Sequence, residues 1–260
     1  MVGVGVLLGV AGGGLQALSV SGLVFEPAPR FGAHLVSRGM MLAVVLGLGG
    51  LLAPTFAMVP DPLRIVGIAK AGQRGPRRAF VAGLALLITG ALAAEAAGHP
   101  QVAAWTRAVA ATASVLLAWK LGRFPFKQAR LPWALLSAGA CTLAGVIAAA
   151  VLPEHEIAAW HVTFIGGYGL LTLAIGTRVV VSHGGHPHTD EAKLLGIATL
   201  ACIALALAAR LAAGEVDPTL AHALATAAAL WSLAWVLWLA GALPRVLEAK
   251  RGKLMTGGHR

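Results

Sequence analysis

Nine histidines are the side chains of this chain best suited to hold a metal or a haem iron. Neutral imidazole is the commonest biological metal ligand and a usual axial haem ligand. Their spacing divides them. His34, His99, His155, His161 and His222 are scattered, whereas three more fall within His183-Gly-Gly-His186-Pro-His188-Thr-Asp190. That loop carries the donors of a copper or zinc site, although a flexible loop of this composition also arises without ligands. The two cysteines, Cys141 and Cys202, sit mid-way along apolar blocks. They lack the spacing of a redox pair or a zinc site and read as small apolar helix residues. No carboxylate dyad or nucleophile–base set is visible, so the sequence supports no enzymatic reaction.

The elements that must position these side chains follow from composition. Hydrophobic residues make up 58% of the 260-residue chain and charged residues 12%, against about 25% charged in a soluble domain. Apolar blocks long enough to cross a bilayer lie at 2–25, 34–59, 79–98, 101–121, 132–152, 158–182, 191–213 and 218–243. Proline and glycine breaks separate them, the shortest being Gly98-His99-Pro100. The expected fold is therefore all-α: a polytopic bundle of about eight transmembrane helices, with residues 1–260 forming a single transmembrane domain. The first block lacks a basic leading segment and is longer than a signal-peptide core, so it reads as a span. Its Gly5, Gly9 and Gly13 recur every four residues, a spacing suited to close helix packing, and the second block is similarly dense in glycine.

Charge sets the expected orientation. The formal net charge is +10, yet the Lys and Arg lie in short loops and do not alternate with aromatic residues, which argues against a nucleic-acid partner. Basic loops at 60–79, 120–131, 183–191 and the C-terminal tail alternate with loops carrying Glu26, Glu95, Glu154, Glu156, Glu215 and Asp217. Under the positive-inside rule both termini are cytoplasmic. His34, His161 and His222, each near the start of a span, then lie at similar depth on the far side. Each is a candidate ligand, and His34 and His222 also read as ordinary interfacial residues.

The sixth span carries the most organised polar pattern. On an ideal helix His161, Tyr168, Gly169, Thr172, Gly176 and His183 share one arc of about 100°. That face runs about 33 Å at 1.5 Å per residue, and its glycines would admit another backbone or a flat cofactor. Arg178 points away from the arc, where it can snorkel or pair with a propionate or phospholipid.

This segment resembles the hallmark stretch of the NnrS family: His161, Gly166-Gly167, Thr177-Arg178 and Ser182-His183-Gly184-Gly185. The second span, ending in Leu51-Leu52-Ala53-Pro54, looks like another family segment, as does the last span with Trp231, Ala234-Trp235 and Pro244-Arg245. Family members are usually longer and carry an early Trp-His-x-His-Glu segment that is absent here, which makes this chain a short variant. The resemblance implies a haem- and copper-containing protein of the bacterial inner membrane, linked to nitric-oxide metabolism and relief of nitrosative stress. It makes His161 and His183 candidate metal ligands; haem b is then expected on His161, with His222 or His34, which the topology places at similar depth, as second ligand and Tyr168 and Arg178 nearby. The partners expected are the lipid bilayer and nitric oxide or a metal ion. Two other readings stand beside it: a small-molecule or metal transporter, for which the sequence shows no convincing inverted repeat or broken helix pair, and a b-type electron-transfer protein.

Overall fold

The computed structural model describes residues 1–22, 28–56, 74–119, 130–213 and 221–256. Among these the chain is helical throughout and forms no strand. Seven helices are long and apolar enough to cross a membrane: α1 (Val2–Val20), α2 (Ala28–Ala53), α3 (Arg78–Ala96), α4 (Pro100–Ala118), α5 (Arg130–Val151), α6 (Pro153–Gly184) and α8 (Ala221–Glu248). A bent pair, His188–Leu194 with Ile197–Ala212, is labelled α7 and brings the number to eight when it is counted as one span. The protein is a polytopic helical membrane bundle, as its apolar periodicity predicts. Most of the basic loop at 60–79 and of that at 120–131 lies outside the described residues.

Two boundaries differ from expectation in ways that matter for the site. The second helix begins at Ala28, six residues before the predicted 34, because Pro29 is compatible with a helical first turn, where no backbone donor is needed. His34 therefore does not open the span. It closes the first helical stretch, Ala28–His34, and precedes a π-helical segment, Leu35–Met40. The seventh span is the second difference. It bends by 44° where Leu195 leaves helical geometry and Gly196 is extended. A broken pair is thus present where the sequence reading expects none.

The described residues fall into two compact units, one built on α1–α4 and the other on α5–α8. In the first, α1 lies against α2 through small residues. A Cβ on Gly12 would meet the Gly32 carbonyl oxygen and Val36, and one on Gly9 would meet Met40. Gly13, expected on this face, has open space around it. Gly39 of α2 abuts Leu8 and Leu92, and Gly49 receives the fully buried indole of Trp119. The joint between α3 and α4 is three residues. Gly98 takes φ +81°, a conformation glycine adopts without strain, and Pro100 starts α4 where its missing N–H costs nothing.

In the second unit α5 packs on α6 in similar fashion. A Cβ on Gly145 would meet Thr163 and the Ala159 carbonyl oxygen, Gly166 abuts Cys141 and Leu207, and Gly167 abuts Thr142. Indoles of α8 fill the remaining notches of α6, Trp231 at Gly169 and Trp238 at Gly176. Trp231, Trp235 and Trp238 follow one another edge to face, and the Trp238 indole N–H donates to Thr177 Oγ1 at 2.8 Å. The glycines of the sixth span thus serve helix packing, which is the blander of the two uses their spacing allows.

Candidate functional site

The second, third and fourth spans each bring one interior charge to a common point in the first unit. Glu95, at the end of α3, is 8% exposed and accepts from Arg38 of α2 and Arg107 of α4, both at 2.6 Å. Arg107 is 2% exposed. An isolated carboxylate or guanidinium is costly in a bilayer, so these groups are stable there only together. The fourth member is His34, whose Nδ1 lies 2.9 Å from Glu95 Oε1. A carboxylate can only accept, so Nδ1 carries a proton, and whenever the ring is neutral Nε2 is the nitrogen with the lone pair.

His161 has the same tautomer by different means. Its Nδ1 lies 2.7 Å from the Ile157 carbonyl oxygen, one turn back on α6, which again leaves Nε2 as the acceptor nitrogen. Like His34, His161 stands immediately before a π-helical segment, here Val162–Gly169. In that segment the i→i+5 bonds widen the turn, so a count at α-helical pitch no longer tracks one face. Tyr168 and Gly169 are buried while Thr172 is exposed, and the continuous polar arc expected for the sixth span is broken. Tyr168 packs on Phe164, which in turn meets the edge of the His161 ring and stacks on Trp160.

The remaining candidates are placed apart. His222 is exposed in the first turn of α8, and no hydrogen bond or ring contact among the described residues joins it to His161. Arg178, 8% exposed, faces Glu191 with two nitrogens, Nε at 3.0 Å from Oε1 and Nη2 at 3.3 Å from Oε2. Beside it His188 Nδ1 lies 2.9 Å from Glu191 Oε1. His183 is exposed and donates from Nδ1 to the Val179 carbonyl at 3.1 Å, while His186 Nε2 donates to the Arg245 carbonyl at 3.2 Å. The loop histidines thus take three separate partners. Among the described residues no three His, Cys, Asp or Glu side chains converge as a metal site.

Residues 1–250 match the family described as NnrS protein. The chain belongs to this family. The match covers both units and includes the α6 segment that carries the resemblance. No curated protein and no solved structure matches the chain. What the NnrS stretch holds in place is now visible: Thr177 receives the Trp238 indole, Arg178 anchors Glu191 of α7, and the turn at Gly184-Gly185 closes α6 with Gly185 at φ +72°.

The donor set suits haem iron at the two histidines whose Nδ1 is already engaged, since a ligating imidazole ordinarily holds its other N–H on a carboxylate or carbonyl. The His183–His188 loop does not offer copper a convergent set among the described residues, and no copper chemistry is derived from it. Sequence reading counted Glu95 only as a loop charge and gave Arg38 and Arg107 no role. The signal was nevertheless present. Glu95 is the lone charge of predicted span 79–98, Arg38 that of 34–59, and Arg107 lies deep within 101–121.

Proposed function

We propose that this NnrS-family protein is a haem-binding protein of the nitric-oxide response, seated in the inner membrane of a bacterium with both termini in the cytoplasm. His161 carries the reading. It lies within the matched stretch and begins the segment that resembles the family's hallmark, its Nδ1–H is held by the Ile157 carbonyl at 2.7 Å, and its Nε2 carries the lone pair of the neutral ring. His34 meets the same chemical requirement through Glu95.

Bound haem b supplies an iron that takes nitric oxide and exchanges single electrons. The chain's own residues do the rest. Glu95 and the Ile157 carbonyl orient the imidazoles, while Phe164, stacked on Trp160 and packed on Tyr168, meets the His161 ring edge to face. The Arg178–Glu191 pair ties α6 to the bent α7.

A redox difference spectrum of the purified protein tests this directly. Haem bands that shift on adding nitric oxide are expected, and His161→Ala should remove or displace part of them. Full and spectrally unchanged haem in His161→Ala sinks the assignment. The 44° bend of α7 favours a second reading, transport, because interrupted spans build the sites of many transporters. A wild-type protein without haem bands that moves a small solute or metal ion across vesicles would establish it. Reporter fusions near residues 70 and 187 should behave as cytoplasmic and those near 28 and 99 as external.

A further inference from the structure

The two units repeat one packing plan at several matched contacts. Leu8, Gly9 and Gly12 of α1 meet α2 where Cys141, Thr142 and Gly145 of α5 meet α6, a constant shift of 133. Their contacts on the next helix, Val36, Gly39 and Met40 in one unit and Thr163, Gly166 and Gly167 in the other, differ by a constant 127. The same 127 carries Gly49, under Trp119, to Gly176, under Trp238. In the Met40–Gly9 and Gly167–Thr142 contacts the glycine has changed sides, so the close approach persists although its source has not. Shared composition alone would not produce constant shifts through four separate contacts.

Applied to His34, the shift of 127 gives His161. The two candidate histidines therefore occupy one position of the repeated plan, each just before a π segment and each with Nδ1 engaged. What differs is the engaging group. Leu92 and Leu207 occupy matching places against Gly39 and Gly166, and three residues further along their helices stand Glu95 and Arg210. The first unit thus places a carboxylate where the second places a guanidinium.

We propose that His34 and His161 are one ligating position present twice, each serving its own four-helix unit, and that Glu95 is a positioning residue that makes His34 the stronger donor. The inference rests on the haem reading above and deepens it. A carboxylate accepting the Nδ1 proton raises the basicity of Nε2 more than a backbone carbonyl does. A haem on His34 is therefore the harder of the two to reduce.

The test uses purified full-length protein. Haem titration of the wild type saturates at two per chain and that of His34→Ala or His161→Ala at one. Potentiometry resolves two transitions, of which Glu95→Gln raises only one while weakening that haem about 10- to 100-fold. Should Glu95→Gln not fold, Glu95→Gln with Arg107→Gln keeps the net charge of the cluster and carries the same comparison. In the haem-free protein, 15N-histidine spectra show both rings protonated at Nδ1, and loss of the Glu95 carboxylate moves His34 alone. No haem in the wild type overturns the functional reading together with this ligand role. A wild type that binds only one haem, absent from both histidine variants, or both transitions moving in Glu95→Gln, overturns the repeated position alone. A His34 resonance unmoved by Glu95→Gln overturns the role of Glu95.

Discussion

The α1–α4 unit and the α5–α8 unit share a scaffold and spend their charges differently. In the first, one carboxylate gathers two guanidiniums and an imidazole near the start of α2. In the second, the buried ion pair, Arg178–Glu191, stands near the end of α6 and braces the half-helix before the bend. The comparison teaches which residues set the architecture. Small residues and tryptophans recur at matching places and determine how closely helices approach. Charges do not recur, and so mark what each unit does separately.

The comparison can be broken most sharply at the charges. Glu95→Gln should cost about 3–5 kcal/mol, since it leaves two buried cations without their anion. Glu191→Gln strips one guanidinium and should cost nearer the low end of that range, about 3 kcal/mol. Equilibrium unfolding in detergent of both variants reads the order, and a larger loss at Glu191 would reverse the ranking. Tryptophan removal comes next. Trp119→Ala should cost about 3 kcal/mol, the lower part of the usual range, because lipid-embedded packing gains less from leaving water. Trp238 is only partly buried, so Trp238→Ala should cost less despite losing its bond to Thr177. Gly39→Ala and Gly166→Ala should each destabilise by about 1–3 kcal/mol through overpacking. Opposite signs at these two positions would contradict the shared plan. The smallest effect is expected from His186→Ala with His188→Ala, less than about 1 kcal/mol for partly exposed contacts. Haem content should stay unchanged, and loss of bound copper in that variant would show the loop to be a metal site.

Much of the fold was legible because length and apolarity are local properties. Seven spans and the three-residue α3–α4 joint follow from runs of apolar residues and from Gly98-His99-Pro100. The start of α2 was missed because Pro29 reads as a breaker when it can also open a helix. The π segments were invisible, since widened turns answer to neighbouring helices such as α1 and α5 and leave no mark in periodicity. For the same reason the ideal-helix arc from His161 to His183 did not survive. Gly196 was the available sign of the α7 bend, but an isolated glycine in an apolar run is ambiguous. His34 and His161 were singled out by residue type. Glu95 was undervalued because its charge was assigned to a loop, although it lies inside α3.

The Glu95 cluster also constrains how the chain is made. Arg38 leaves the ribosome well before its anion, and a lone arginine in mid-helix costs about 2.5–3.5 kcal/mol to insert. Glu95 and Arg107, by contrast, flank a tight joint and can enter the bilayer as one neutral hairpin. Until that hairpin arrives, Arg38 is better accommodated reaching toward the headgroups than at the bilayer centre. Its final place beside Glu95 is one that α2 can take only after two later helices have entered.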